Sequence, residues 1–168
     1  KEQGLLANPA LSGTEPQTYD LLPKAPRGFG KAKAMISMFM QGGPSHIDLF
    51  EKRAVASLAT LMTDGRPQVT PLWVLYEAPY VIVNSAKGRI KDRNMRRDER
   101  VAIEVRDPDN PYRYLAIQGR VVEITEKGAR DVINAMSLKY LNEPVYGGPP
   151  DETRVTYKIL PERVHASG

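Results

Sequence analysis

Short strand-like segments separated by turn signals constrain the fold of this chain more than any other feature of its sequence. Thr63-Asp-Gly65 is a hairpin signal between two partly apolar segments. In the segment 100–106, Val101, Ile103 and Val105 fall on one face of a predicted strand. Successive hairpins followed by a late helix favour an antiparallel barrel over a doubly wound sheet. We therefore expect a mainly β fold: a small antiparallel β-barrel with peripheral helices.

The elements expected after residue 44 are six strands, two short helices and one longer helix. A Ser N-cap predicts a short helix over 45–53, and 88–98 is predicted to be a basic helix. Gly119 weakens one strand, which predicts a bulge or bend there. Thr125 is expected to cap the long helix, which ends near Leu141 and is followed by a loop. The six predicted strands lie within 54–62, 66–77, 80–84, 100–106, 112–124 and 154–160.

Composition excludes several classes of protein. The chain has 168 residues, a length that suits one domain. Its net charge of +4 is too small to indicate nucleic acid binding by itself. No apolar run approaches the ~20 residues of a membrane-spanning helix. The chain lacks cysteine, which excludes thiolate zinc sites, and His46 and His165 are too far apart to suggest a metal site. We expect a cytoplasmic protein with no metal and with no nucleic-acid or membrane partner.

Residues 1–44 are predicted to be an irregular N-terminal extension. The first 30 residues contain four prolines and four glycines and show no helical or strand period. Gly42-Gly43-Pro44 is a strong breaker, after which the regular pattern begins. The expected division is therefore 1–44 for the extension and 45–168 for the barrel.

The segment 84–97 carries the clearest chemical signal. Between Lys87 and Arg97 there are six Lys or Arg residues and one acid, Asp92. A strand end followed by a helix start directs backbone N–H groups and the positive end of the helix dipole at one point, where a phosphate ester would bind. The alternative is a solvated basic helix. A nucleic-acid surface is disfavoured because no aromatic residue lies among these cations.

The segment 68–73 is the second candidate. Pro71 removes an N–H group from a predicted strand, which indicates an edge, a bulge or a gap that faces a ligand. Thr70 and Trp73 could flank a planar ring there. The alternative is a core tryptophan beside an edge proline.

Together these segments resemble the flavin/deazaflavin oxidoreductase group, the split-barrel superfamily of pyridoxamine 5′-phosphate oxidase, in its branch that binds coenzyme F420. The similarity is carried by 59–73, 84–97, 107–115 and 119–124 and spans about 45–165. It implies a homodimeric, antiparallel split β-barrel of the FMN-binding type, with the cofactor in a groove between subunits.

The resemblance also implies which residues bind the cofactor. The ring system would lie along 70–73, and the phosphate would be held by the segment 84–97. The surplus cations Arg93, Arg96 and Arg97 suit the phosphodiester and glutamate tail of F420 better than the single phosphate of FMN. F420 is therefore the expected cofactor and FMN the alternative. The residues expected to bind it are Thr70, Pro71, Trp73, Asn84, Ser85, Lys87, Arg89, Lys91 and Asn94.

The function expected from this resemblance is an oxidoreductase that transfers a hydride between F420 and a small electron-poor organic substrate. The sequence shows no nucleophile–base constellation, so no catalytic side chain is assigned. That fits a reaction carried by the cofactor, and it fits a non-catalytic protein equally well. The alternatives are an FMN-dependent enzyme similar to pyridoxamine 5′-phosphate oxidase and a carrier of F420 or flavin without turnover.

Residues 31–50 resemble a different family, an uncharacterised planctomycete-type group in the alkaline phosphatase/sulfatase superfamily. The similarity is carried by Phe-Met-Gln-Gly-Gly-Pro-Ser-His, which ends at His46. The rest of that large domain, including its metal ligands, has no counterpart in this sequence, so phosphatase activity is not expected. We expect a fused or misjoined segment that meets the barrel near Ser45.

Overall fold

The computed structural model describes residues 46–168. The predicted N-terminal extension and the similarity to the alkaline phosphatase/sulfatase superfamily lie outside the described residues, apart from the short helix that begins at His46. No helix in the described part is long and apolar enough to cross a membrane. A 3₁₀ helix (His46–Phe50) is followed by β1 (Ala56–Leu61), β2 (Pro67–Leu72), β3 (Val74–Glu77), β4 (Tyr80–Ala86), α1 (Ile90–Arg97), β5 (Arg100–Arg106), β6 (Tyr114–Thr125), α2 (Ala129–Leu141) and β7 (Arg154–Ser167).

The seven strands form one antiparallel sheet in the order β2-β1-β5-β6-β7-β4-β3. β2 and β3 lie at opposite edges of this sheet, yet only Trp73 separates them in the chain. Because consecutive Cα atoms are about 3.8 Å apart, the sheet must curl until its two edges meet. The predicted antiparallel split-barrel fold is therefore confirmed.

The interior of the barrel is filled by side chains from alternating strand positions. Leu58, Val83, Ile103 and Ile159, each on a different strand, are almost completely buried in one cluster. Leu49 of the 3₁₀ helix joins the same core. A smaller second cluster lies beneath α2 and consists of Ile82, Ile133 and Met136.

The turn after β5 is held by Asp107. Its carboxylate accepts the backbone N–H of Asp109 at 2.9 Å, the Lys52 ammonium at 2.8 Å and the Arg113 guanidinium at 2.9 Å. These interactions, led by the hydrogen bond from Lys52, hold the pKa of Asp107 well below its usual range. Arg113 also pairs with Asp48 at 2.6 Å, so the network ties the 3₁₀ helix to this turn.

Three boundaries differ from those expected. The predicted strand over 66–77 is two strands, because the chain leaves β1 at Trp73 and then pairs with β4. Thr125 belongs to β6 and accepts the N–H of Lys127 at 3.2 Å, while Gly128 is the N-cap of α2. β7 continues past residue 160 to Ser167, because it keeps pairing with β6 beyond an irregularity in the ladder.

The predicted irregularity at Gly119 is confirmed. The register between β6 and β7 shifts between Gln118 and Gly119. A Cβ atom at position 119 would lie 2.5 Å from the carbonyl oxygen of Leu160. The absence of a side chain at Gly119 therefore lets the two backbones approach at the bulge.

We predict that Gly119→Ala destabilises the barrel by about 1–3 kcal/mol, since the backbone must shift to relieve the clash. Urea unfolding followed by circular dichroism measures this difference. Gly147→Ala is the matched control, because a Cβ atom there meets nothing within 4 Å. An unchanged unfolding midpoint for Gly119→Ala would contradict the close approach.

Candidate functional site

A gap in the barrel wall opens where β2 and β3 part. β3 pairs with β4 only as far as Val83, whereas β2 turns to pair with β1. Among the described strands, residues 84–86 of β4 are therefore paired with β7 alone. A cavity of about 320 Å³ lies at this gap. It is lined by Val55, Pro71, Leu72, Trp73, Asn84, Arg89, Lys91, Ile133, Met136, Tyr146 and Arg154.

Asp92 fixes the first turn of α1 beside this cavity. Its buried carboxylate accepts the backbone N–H of Gly88 at 2.7 Å, the Nε–H of Arg96 at 2.8 Å and the hydroxyl of Tyr157. Burial raises the pKa of Asp92, but the hydrogen bonds, led by the one from Tyr157, outweigh burial and keep the pKa below its ordinary value. Because Tyr157 lies in the barrel core, α1 is anchored to the interior of the barrel.

Three cations surround one end of the cavity. Arg154 is only 5% exposed and donates its Nε–H to Asn84 Oδ1 at 2.8 Å. Arg89 is half exposed. Lys91 is partly buried and has no hydrogen bond or ion pair within the described part of the chain. Burial, followed by the charges of Arg89 and Arg154, lowers the pKa of Lys91, so an anion entering the cavity would offset an electrostatic cost already present.

One acid, Glu152, offsets part of this positive charge. Its carboxylate accepts a hydrogen bond of 2.6 Å from Arg89 and another of 2.6 Å from Arg154. Burial raises the pKa of Glu152, but the hydrogen bonds from Arg154 and Arg89 keep it below its ordinary value. With Lys91 included, the cavity end carries three cations and one carboxylate, and so a net positive charge.

Aromatic rings form another wall of the cavity. The Trp73 ring stacks on Tyr140 with centroids 5.2 Å apart and planes 9° apart, and Tyr146 meets Trp73 edge-on at 6.2 Å. The Tyr140 hydroxyl donates to the carbonyl of Ala54 at 2.8 Å, which fixes the stack. The Arg154 guanidinium lies 5.2 Å from the Tyr146 ring. The cationic end and the aromatic wall therefore adjoin each other.

The structure brings five of the predicted cofactor-binding residues to this cavity. Two others, Thr70 and Ser85, lie on the strands that border the gap. The hydroxyl of each is buried and has no hydrogen-bond partner in the described part of the chain, so each retains hydrogen-bonding capacity for a ligand. The five that line the cavity are Pro71, Trp73, Asn84, Arg89 and Lys91.

The remaining two predicted residues, like Thr70 and Ser85, are outside the cavity lining. Lys87 is exposed and pairs with Glu126 at 2.6 Å. Asn94 is buried and donates to Thr60 Oγ1 at 3.0 Å, so its side chain attaches α1 to β1. The predicted segment is thus split between a face that points to the cavity and a face that packs on the barrel.

Sequence reasoning missed Arg154, Glu152 and Tyr146. Arg154 reaches the site because the first residue of β7 pairs with Ala86, at the end of β4. That pairing joins segments about 70 residues apart, and no local pattern marks it. Tyr146 and Glu152 belong to the loop 142–153, whose glycines and prolines predict only a loop.

The sequence profile of pyridoxamine 5′-phosphate oxidase matches residues 44–168. The chain belongs to this family. No curated protein matches it.

Solved structures support the same relationship. An F420 reductase superposes with a TM-score of 0.66 at 30% identity, over 74% of this chain and 98% of that chain. A conserved hypothetical protein from Mycobacterium tuberculosis gives a TM-score of 0.62 at 20% identity, over 80% of this chain and 89% of that chain. HupZ from Group A Streptococcus gives a TM-score of 0.52 at 22% identity, over 77% of this chain and 94% of that chain. The last two are similar to this chain in fold.

The residues at the cavity fit an organic cofactor with a ring and a phosphate. The cations supply charge-assisted donors for phosphate oxygens, and the wall around Trp73 supplies an apolar surface for a ring. The hydroxyls of Thr70 and Ser85 lie on the bordering strands and have no hydrogen-bond partner in the described residues, but neither residue belongs to the cavity lining. Among residues 46–168, no group of three or more His, Cys, Asp or Glu side chains is placed to hold a metal ion.

Proposed function

We propose that this protein is an F420-dependent oxidoreductase that transfers a hydride to or from a small electron-poor organic substrate. The observation that carries the proposal is a partly buried lysine, Lys91, without a partner in the described residues, between two arginines and next to an aromatic wall. A solvated basic helix would not place its lysine in a cavity, nor would it require a buried arginine from another strand. The coarser conclusion, an oxidoreductase fold of the flavin and deazaflavin type, follows from the family.

In this proposal the phosphate of the cofactor is bound by Arg89, Lys91 and Arg154. The ring system lies along Pro71 and Trp73, with the hydroxyls of Thr70 and Ser85 as further hydrogen-bonding groups. Asn84 acts through Arg154, whose Nε–H it accepts. We assign Lys87 to the rim of the site and Asn94 to support of α1, because each already has a protein partner.

The choice of F420 over FMN rests on two observations. The F420 reductase shares 30% identity with this chain, and α1 presents three further exposed arginines. Each of these donates to a protein acceptor: Arg96 to Asp92, Arg97 to the Leu61 carbonyl and Arg93 to the Gly88 carbonyl. The anionic tail of F420 would have to displace these acceptors from the arginines. This competition offsets part of the second argument, so FMN stays the alternative cofactor.

The chemistry of such a reaction comes from the cofactor, which carries the hydride when bound. The side chains of this chain bind the cofactor, orient it and exclude water from one of its faces. An acceptor such as a conjugated alkene, a quinone or a tetrapyrrole would lie against the other face of the ring. Substrate identity and the cytoplasmic location expected from the sequence stay predictions.

We predict that Lys91→Ala weakens cofactor binding by about tenfold to a hundredfold, since a charge-assisted hydrogen bond contributes about 1.5–3 kcal/mol. Fluorescence titration with F420 and, separately, with FMN measures both affinities. Lys127→Ala is the matched control, because Lys127 is exposed and outside the lining of this cavity. Binding of neither cofactor by the parent protein would overturn the proposal, and much tighter binding of FMN would replace F420 with FMN.

A separate experiment distinguishes the enzyme from a carrier. We predict that reduced F420, incubated with the protein and a panel of conjugated acceptors, is oxidised through many turnovers at a rate above that without protein. The measurement is the recovery of the absorbance of oxidised F420. Tight binding of the cofactor without turnover of any acceptor would favour the carrier.

We also propose that the protein is a homodimer, as expected from the family resemblance. The outer face of β2, β1 and β5 carries a small apolar patch: Val69 pairs with Ala59, and Ala59 pairs with Ala102, with Arg100 and Glu104 on either side of Ala102. Val69 is 61% exposed. A second copy placed on this face would bury it and could deepen an otherwise shallow groove.

We predict that light scattering at micromolar concentration gives twice the monomer mass. Ala102→Glu should shift the protein toward the monomer, because the dimer interface would bury the introduced carboxylate. Lys127→Glu introduces the same carboxylate as a control, at an exposed position between β6 and α2. A monomeric parent protein in the presence of cofactor would contradict the dimer.

A further inference from the structure

Glu152 occupies the position at which an anionic ligand would meet the two arginines of the cavity. Its carboxylate bridges Arg89 and Arg154 at 2.6 Å each and is only 18% exposed. A carboxylate and a phosphate offer the same kind of acceptor to a guanidinium. Glu152 accepts from Nη2 of Arg89 and from Nη1 of Arg154, so a ligand phosphate that takes these two groups must displace it.

The two arginines differ in how strongly they depend on Glu152. Arg154 is buried and has further contacts with Asn84 and with the ring of Tyr146, so its orientation does not rest on Glu152. Arg89 is half exposed, and Glu152 is its only side-chain partner within residues 46–168. Arg89 is therefore the donor that can exchange one anion for another.

Glu152 also links the cavity to the loop 142–153. The same loop is attached through the backbone N–H of Tyr146, which donates to Asn134 Oδ1 at 3.0 Å, and through the Thr153 carbonyl, which accepts the N–H of Lys87 at 2.9 Å. These contacts keep the loop in place when the ion pair with Arg89 is broken. Release of Glu152 therefore does not require the loop to detach.

We propose that Glu152 is an internal competitor for the anion site: it holds Arg89 while the site is free, and the phosphate of the ligand replaces it on Arg89. This inference rests on the proposed function, because it identifies the group that sets the affinity of the same site for anions. It makes Glu152 an affinity-determining residue with no part in hydride transfer. The site thus selects ligands whose negative charge is strong enough to displace a carboxylate.

The test is Glu152→Gln, which removes the charge and keeps the shape of the side chain. We expect F420 to bind about tenfold more tightly to this variant, since a repulsive charge is removed and Arg89 is free to bind the ligand. Trp73 is the only tryptophan of the chain, so quenching of its fluorescence reports occupancy of the cavity. Glu162→Gln is the matched control, because Glu162 pairs with Arg120 outside the cavity lining.

A double-mutant cycle with Arg89→Ala shows whether the effect passes through Arg89. We expect Glu152→Gln to change affinity much less in the Arg89→Ala background than in the parent protein. Equal effects in both backgrounds would overturn the exchange on Arg89. Unchanged or weaker binding by Glu152→Gln would show that Glu152 orients the arginines instead, and would overturn the competition.

Inorganic phosphate separates this inference from the proposed function. If the parent protein binds neither F420 nor FMN, the proposed function fails, but Glu152→Gln should still bind millimolar phosphate more tightly than the parent does. Absence of phosphate binding in Glu152→Gln, measured by Trp73 fluorescence and by the shift in melting temperature, would overturn the inference.

Discussion

The site depends first on the buried carboxylate of Asp92. A charged group inside a protein is costly unless its acceptor positions are filled, and here they are filled by a backbone N–H, a tyrosine hydroxyl and an arginine. The tyrosine, Tyr157, belongs to β7 and lies in the core. One side chain thus joins the turn before α1, the helix and the opposite strand. Together with the bond from Asn94 to Thr60, this connection fixes the start of α1, and its cations, relative to Arg154.

The second constraint is the separation of β2 from β3 at Trp73. A closed barrel would pair the backbone N–H and C=O groups along every strand edge. This barrel leaves the end of β4 without a neighbouring strand on one side. Such an opening exposes polar groups that a ligand can satisfy. Pro71 lies beside it and has no N–H to leave unpaired. The cavity is therefore a direct consequence of how the sheet closes, and the aromatic stack on Trp73 lines the same opening.

The sequence predicted what is local in this structure. The strand over 100–106, the bulge at Gly119 and the basic helix each follow from local residue chemistry or periodicity over a few residues. The division of the segment 66–77 could not be predicted this way, because it depends on which strand lies at each edge. Arg154 was missed for the same reason, since its place at the site comes from the pairing of β7 with β4. Asn94 shows the opposite error: its segment was identified correctly, but the side of the helix it occupies depends on packing against Thr60.

The charges of the cavity show how one segment serves both stability and binding. Among the other cations between Lys87 and Arg97, Lys87 and Arg96 pair with carboxylates. Arg93 and Arg97 donate to neutral carbonyl or amide oxygens, so they are held by protein partners but keep their charge. The side chain of Lys91 has no hydrogen-bond or ion-pair partner within residues 46–168. Its pKa is lowered by burial and by the charges of two neighbouring arginines. A fold that keeps such a group gains nothing in stability from it, because desolvating an unpaired charge is unfavourable. Binding of an anion relieves this unfavourable energy. The resulting difference in free energy between the anion-free and the anion-bound protein makes the start of this basic helix a binding site.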